Sequence, residues 1–275
     1  MKIQEKLKYV RKEKKALLAA NYYNLETCKG IMLAAQEMQQ PIILQLTKSS
    51  INYMGLKTAV RIGRTLSEEL GVESWLHLDH CDEIELIKKC LEEGFDSVMI
   101  DASDKSLKDN INITKNVVQM AKKYDANVEA ELGNVPKLGS ELENDKFTNP
   151  DEAKLFVQQT GVDLLAVAIG SKHGFYKGEP KLDLERLKLI NHTINIGLVL
   201  HGGSGIPGTS LKTAIELGIV KVNVATETKD IFTKTLKNIL VDSEEIDLRK
   251  TFPKAIDAVK NLIKDKLQII TGNNP

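Results

Sequence analysis

The sequence predicts a (β/α)8 TIM barrel of the α/β class, followed by an extra C-terminal helical segment. Three observations carry this expectation. Eight short β-branched or aliphatic runs are each followed by a stretch of helical period. The units recur at intervals of roughly 25–35 residues, as strand–helix repeats of such a barrel do. Helical stretches frequently end at glycine, as at Gly71, Gly94, Gly161 and Gly218, where the chain must turn left-handed before the next strand.

Taken in order, the strand-like runs are 16–23, 41–47, 74–80, 96–102, 127–133, 163–170, 196–203 and 220–227. Helical periodicity covers 25–39, 56–70, 83–93, 106–124, 149–160, 183–194, 209–217 and 228–240. Strand-then-helix order makes the crossovers parallel and right-handed. A doubly wound open sheet uses similar units, but the G-x-G-x-x-G turn expected after its first strand is absent. The opening MKIQEKLKYVRKEKK reads as a short surface helix. Past Leu240, the stretch 253–270 puts Ile256, Val259, Ile263 and Leu267 on one face, a candidate oligomer contact. Residues 1–275 therefore read as a single barrel domain, with about 241–275 a C-terminal helical extension packed on or between barrels. The stretches 134–150 and 49–57 read as irregular and functional.

Charge narrows the partners. With 38 basic and 38 acidic side chains there is no global field for nucleic acid or for a cationic partner. No apolar run approaches the ~20 residues that span a bilayer. The basic N-terminus lacks an apolar core and a small-residue cleavage site, so a cytoplasmic location is expected. Cys28, Cys81 and Cys90 are odd in number and without C-x-x-C spacing, which argues against a disulfide framework or a cysteine metal cluster. Cys81 follows His80, but nothing requires it to be a nucleophile or ligand.

In such a barrel the C-terminal ends of the strands face the active site. Those ends are Thr47-Lys48-Ser49-Ser50, Asp79-His80, Asp101, Glu129 and Glu131, Ser171-Lys172-His173-Gly174, His201-Gly202-Gly203-Ser204, and Asn223-Val224-Ala225-Thr226. Three of the five histidines, His80, His173 and His201, thus end strands three, six and seven. Neutral imidazoles converging on one mouth are the usual ligands of a catalytic zinc with an open position. The inference depends on the barrel, since the spacing is too long for a local metal motif. His77 lies deeper on strand three, either orienting a ligand or simply in the core, and His192 reads as solvated or capping. The glycines of LHGGSG sit beside VNVATE at strands seven and eight, the usual phosphate corner of this barrel. A metal next to a phosphate cradle suits a phosphorylated α-hydroxy ketone, and Asp79 is placed to move a proton on the substrate hydroxyl.

The residues that form these strand ends resemble the class II, metal-dependent fructose-bisphosphate and tagatose-bisphosphate aldolases nearly end to end. The resemblance is carried by NYYNLET (21–27), INYMG (51–55), HLDH (77–80), SVMIDAS (97–103), VEAELG (128–133), 148–170, KHGFYKGEP (172–180), LVLHGGSGIP (198–207) and KVNVATE (221–227). It implies zinc on His80, His173 and His201, and Asp79 as the group that takes the C4 hydroxyl proton during cleavage. It implies phosphate binding by Gly174, by Gly202, Gly203 and Ser204, and by Asn223, Val224, Ala225 and Thr226, with a monovalent cation such as Na+ or K+ nearby. Asp101 and Glu131 match acidic positions of an alternative metal site. Lys177 and Arg249 match second-phosphate contacts, the arginine reaching over from a neighbouring subunit of a homodimer or homotetramer.

The implied reaction is reversible cleavage of a ketose 1,6-bisphosphate to dihydroxyacetone phosphate and glyceraldehyde 3-phosphate. Lys177 favours fructose; tagatose or another ketose phosphate is the alternative. Four stretches depart from the family pattern. Asp104 stands where histidine is usual, the segment after VEAELG is not glycine-rich, TKSS replaces Ser-x-Gly-Ala, and Lys172 replaces alanine. A Lys172 Schiff base without metal, and a non-catalytic phosphosugar-binding barrel, are the competing readings.

Overall fold

The computed structural model describes residues 1–136, 147–176, 178–241 and 243–272. Its first element, α1 (Ile3–Lys12), leads into β1 (Leu17–Asn21), α2 (Leu25–Glu37), β2 (Ile42–Thr47), α3 (Lys48–Met54), α4 (Leu56–Leu70) and β3 (Ser74–Cys81). There follow α5 (Ile84–Glu92), β4 (Ser97–Ile100), α6 (Leu107–Ala121), β5 (Asn127–Leu132), α7 (Pro150–Thr160), β6 (Leu164–Val167) and α8 (Leu184–Thr193). The chain closes with β7 (Gly197–Leu200), α9 (Gly208–Glu216), β8 (Ile219–Val224), α10 (Thr226–Leu240) and α11 (Leu248–Thr271). The strands form a closed, all-parallel barrel in sequence order, β8 pairing back onto β1. All eight expected strands are present, most of them shorter than their apolar runs; β3 extends past the end of its run, to Cys81, and β8 begins one residue before its run, at Ile219.

Alternation along each strand divides the apolar side chains into two cores. Outward residues such as Leu18, Leu44, Leu76, Val98, Leu165, Leu198 and Val222 pack under the helices. Inward residues Leu17, Ala19, Ile43, Trp75, Leu164, Ala166, Val199 and Val220 form a second cluster, shared with Ile3, Leu7 and Val10 of α1. The N-terminal helix is therefore not a surface element. It plugs the N-terminal end of the barrel, and each of its three buried aliphatics contributes roughly 1.5–3 kcal/mol of apolar burial.

Two further differences from expectation have local causes. Residues 48–54 are helical because Thr47 caps them, its hydroxyl accepting from the Ser50 N–H at 3.3 Å; only then does Gly55 turn the chain at φ 83°. The same kind of cap recurs at Asp247, whose carboxylate accepts from the Arg249 N–H at 3.0 Å and starts α11 before Pro253. The apolar face of α11 is covered within the chain, since Val259, Ile263, Leu267 and Ile270 are buried and the helix packs on α2 and α10. Of the stretch 134–150, residues 137–146 lie outside the described residues.

Candidate active site

The end of β3 breaks strand alternation. In a regular strand Asp79 and His80 would point to opposite faces, but the β3–β4 register shifts between Leu78 and Cys81 and His80 adopts φ 43°. That left-handed conformation costs a non-glycine residue of order 1 kcal/mol or more. As a result both side chains reach the barrel mouth.

His80, His173 and His201 do converge. Their ring centroids lie 4.8 Å (80–173), 4.5 Å (80–201) and 5.9 Å (173–201) apart, each pair edge to face. One ligand-type nitrogen from each falls within 4.8 Å of the others. A carboxylate orients two of the rings. His80 Nδ1 bonds Asp101 Oδ2 at 2.9 Å, and His201 Nε2 bonds Glu129 Oε1 at 2.7 Å. Because ionised carboxylates only accept, those nitrogens carry the hydrogens and leave His80 Nε2 and His201 Nδ1 as lone-pair donors. Both are buried and lack any hydrogen-bond partner. Buried, orphaned, convergent imidazole nitrogens with carboxylates behind them fit a divalent metal. His80, Asp101 and Glu131 form a second possible ligand group, with Glu131 Oε2 also unpartnered and 3.4 Å from His201 Nδ1.

Electrostatics follow from burial and these partners. Burial lowers the His173 pKa to about 3, helped by the positive charge that His80 and His201 can carry. Burial would also lower that of His201, but the Glu129 carboxylate bonded to Nε2 and the Glu131 carboxylate 3.4 Å from Nδ1 outweigh it and raise the pKa; a metal at Nδ1 would take the proton's place. For Asp79, burial acts upward, yet His80 and His201, then Lys221 and His77, bring the carboxyl down to about 2. It is thus ionised at neutral pH.

Two amides hold that carboxylate. Asn21 Nδ2 donates to Oδ2 at 2.9 Å and Asn223 Nδ2 to Oδ1 at 3.2 Å. Each amide is itself oriented: Gln45 Nε2 donates to Asn21 Oδ1, and Lys221 Nζ to Asn223 Oδ1, both at 2.9 Å. Asn223, expected on the phosphate, thus has its side chain committed to Asp79 and Lys221. Beside the histidines a cavity of about 480 Å³ is lined by Thr47, Lys48, Ser49, Asn52, His80 and His173. Lys48 is ion-paired there with Glu83, and lies 3.9 Å from Asp82.

At the expected phosphate corner, Gly202 sits at φ 64°, and a Cβ on it would meet the Lys172 carbonyl oxygen at 2.2 Å. Close approach of the β6 and β7 loops therefore already requires glycine. The Gly203 N–H is taken by Asn223 O at 3.0 Å, and Ser204 Oγ accepts from Glu227 N at 3.5 Å. Gly174 turns at φ 92°, Val224 faces the outer core, and Ala225 and Thr226 lead into the N-terminus of the 15-residue α10, which has no side-chain cap from Ala225 and is a position suited to an anion. Lys172 lies over the Tyr176 ring at 5.4 Å. Arg249 is 90% exposed and paired with Asp247, and no described contact of this chain brings it to the histidines. Lys177 lies outside the described residues.

Sequence reasoning missed Asn21, Gln45 and Lys221, and left Glu129 without a role. A signal existed. Glu129 and Glu131, like Lys221 and Asn223, alternate within apolar strands, and a buried charge in such a place needs a partner. Which partner could not be read, because the two strands are remote in sequence. His77 proves to be more than filler: its Nδ1 bonds Ser97 Oγ at 2.8 Å and its Nε2 faces Lys221 Nζ at 3.4 Å.

Ligand-type nitrogens beside an ionised carboxylate, at the barrel end where catalytic sites form, define a (β/α)8 metalloenzyme by fold and donor chemistry. Comparison with known proteins narrows the class. The family described as "Fructose-bisphosphate aldolase class-II" matches residues 1–274. The D-tagatose-1,6-bisphosphate aldolase subunit GatY of Klebsiella oxytoca is 36% identical over 259 residues, which cover 92% of this chain and 91% of that protein. The crystal structure of the YdjI aldolase from Escherichia coli K12 superposes with a TM-score of 0.87 at 30% identity, covering 98% and 96% of the two chains. A fructose-bisphosphate aldolase of Campylobacter jejuni shares the fold, with a TM-score of 0.85 at 21% identity and coverage of 98% and 93%. The chain belongs to the class II fructose-bisphosphate aldolase family and is an aldolase, a carbon–carbon lyase of a metal-dependent class.

Proposed function

We propose that the protein binds zinc through His80, His173 and His201 and cleaves a ketose 1,6-bisphosphate into dihydroxyacetone phosphate and glyceraldehyde 3-phosphate, with Asp79 as the proton-transfer group. The observation that carries the reading is the pair of buried, unpartnered nitrogens, His80 Nε2 and His201 Nδ1, beside an ionised Asp79. When bound, the metal supplies Lewis acidity that polarises the ketone carbonyl. Asp79, held by Asn21 and Asn223, takes the C4 hydroxyl proton as the C3–C4 bond breaks. The C4 oxygen becomes the aldehyde carbonyl, and the bonding pair passes to the three-carbon ketone.

The Gly174, Gly202–Ser204 and Asn223–Thr226 segments take the ketone-side phosphate, with a monovalent cation nearby. The cavity beside Lys48 receives the aldehyde half. Fructose 1,6-bisphosphate is the first reading for the substrate, resting on the Lys177 stretch; the GatY relative supports tagatose 1,6-bisphosphate as the second. Apolar residues left exposed around the α10–α11 turn, Val241, Ile246 and Leu248, support a homodimer or homotetramer, to which Arg249 would contribute. No described helix is long and apolar enough to cross a membrane, which accords with a cytoplasmic enzyme. Metal analysis with cleavage assays on both C4 epimers tests the reading. Bound zinc and turnover lost to EDTA are expected. Turnover that survives EDTA with borohydride trapping at Lys172 would overturn it, and bound zinc without turnover on any ketose phosphate would favour a binding protein.

A further inference from the structure

Lys221 is almost fully buried, 1% exposed, in the middle of β8. A lysine ammonium has three protons and no acceptor, so burial is tolerable only where three acceptors surround it. Here Asn223 Oδ1 accepts at 2.9 Å, Glu129 Oε2 balances the charge as an ion pair at 2.9 Å without a hydrogen bond, and His77 Nε2 lies third, at 3.4 Å. The third acceptor is fixed by its own partner, because His77 Nδ1 donates to Ser97 Oγ, which also accepts from Asn127 Nδ2 at 3.1 Å. Lys221, Glu129 and His77 are all buried. Asn223 and Glu129 lead from Lys221 to different parts of the catalytic machinery. Asn223 turns its amide nitrogen to Asp79 Oδ1, and Glu129 turns its other oxygen to His201 Nε2.

We propose that Lys221 is a positioning residue that ties the proton-transfer arm, Asn223 to Asp79, to the metal-ligand arm, Glu129 to His201. By accepting nothing and donating to Asn223 Oδ1, it fixes which end of that amide meets Asp79. Its ion pair with Glu129 Oε2 pins the carboxylate whose Oε1 sets the His201 tautomer. A neutral, aprotic side chain at position 221 would leave Asn223 Oδ1 without its donor, loosening the amide that holds Asp79, and would free Glu129 to rotate.

The inference rests on zinc at the three histidines, and double-mutant cycles on the purified enzyme test it. Lys221→Met should lower kcat at least about 100-fold, the scale of a misplaced reacting group, with KM within about threefold. Chelator competition should show zinc affinity weakened about 10- to 100-fold, as for loss of a ligand-orienting partner. If Lys221 acts through its two neighbours, the losses must not add. Lys221→Met/Asn223→Ala should then lose no more kcat than Asn223→Ala alone, and Lys221→Met/Glu129→Gln no more zinc affinity than Glu129→Gln alone. Additive losses in both cycles, or wild-type kcat in Lys221→Met, would overturn the proposal. Should Lys221→Met fail to fold, Lys221→Gln, which keeps two N–H donors, carries the same cycles; failure of both to fold would make Lys221 a structural residue and sink the idea. A wild-type protein that takes up no zinc would instead sink the metal reading on which the proposal stands.

Discussion

At its N-terminal end the barrel interior is filled by Leu17, Ile43, Trp75, Leu164 and Val220 and closed by Ile3, Leu7 and Val10 of α1, whereas at its C-terminal end the same sheet places Asn21, Gln45, Asp79, Glu131 and Asn223. Both ends are buried, and both consist of inward-facing positions a few residues apart. The apolar end is held by non-directional burial and tolerates small shifts. The polar end is held by hydrogen bonds between particular donors and acceptors, so geometry there is specified group by group at the risk of large desolvation penalties. One end supplies stability; the other uses it to keep charges and unpartnered nitrogens where water would otherwise be preferred.

Substitutions can break that contrast, beginning with the largest effect. His201→Ala should abolish zinc binding and with it turnover, because it removes a ligand and strands the buried Glu129 and Glu131 carboxylates; metal analysis and a cleavage assay check both. Asp79→Ala should keep zinc but lose turnover by about 100- to 10,000-fold, the range for a proton-transfer group. Equal activity of Asp79→Ala and wild type would remove the mechanism. At the opposite end, Leu7→Ala should cost about 2–5 kcal/mol of stability, read as a lowered Tm, while kcat/KM of the folded enzyme stays within about twofold. A large loss of kcat/KM there would mean the two ends are coupled.

The smallest effect concerns pH. Burial first, then the Lys221 charge, lowers the His77 pKa to about 3, so unfolding releases a group that binds a proton more readily. A depressed histidine pKa makes stability fall as pH drops from about 6.5 towards 3. The depressed Asp79 pKa acts in the same direction, with stability lost as pH falls from about 3.8 towards 2. Tm measured between pH 7 and 4 should therefore decline with a slope that Leu7→Ala leaves unchanged and His77→Asn flattens. An equal slope in His77→Asn would show that the histidine is not titrating on unfolding.

Much of this was legible in the chain itself, for identifiable reasons. Strand periodicity and glycine stops report local backbone preferences, so the eight strands and their order could be read directly. His80, His173 and His201 could be grouped once the strands were ordered, since each closes an apolar run. The helix at 48–54 was missed because it hangs on one cap, Thr47, and the plug role of α1 because its apolar stripe of Ile3, Leu7 and Val10 shows amphipathicity without naming what it covers.

The linear pattern was enough for the barrel, its family and the residues able to ligate a metal, because these depend on order within one strand, one helix or one short motif. It took the folded arrangement to bring Asp79 and His80 to the same mouth, through the bulge and the positive φ at His80, and to let Lys221 of β8 join Asn223 to Glu129 of β5. Those facts depend on register and on which strands meet across a closed barrel. Such contacts are between residues far apart in sequence, and the chain's local chemistry carries no record of the distance between them.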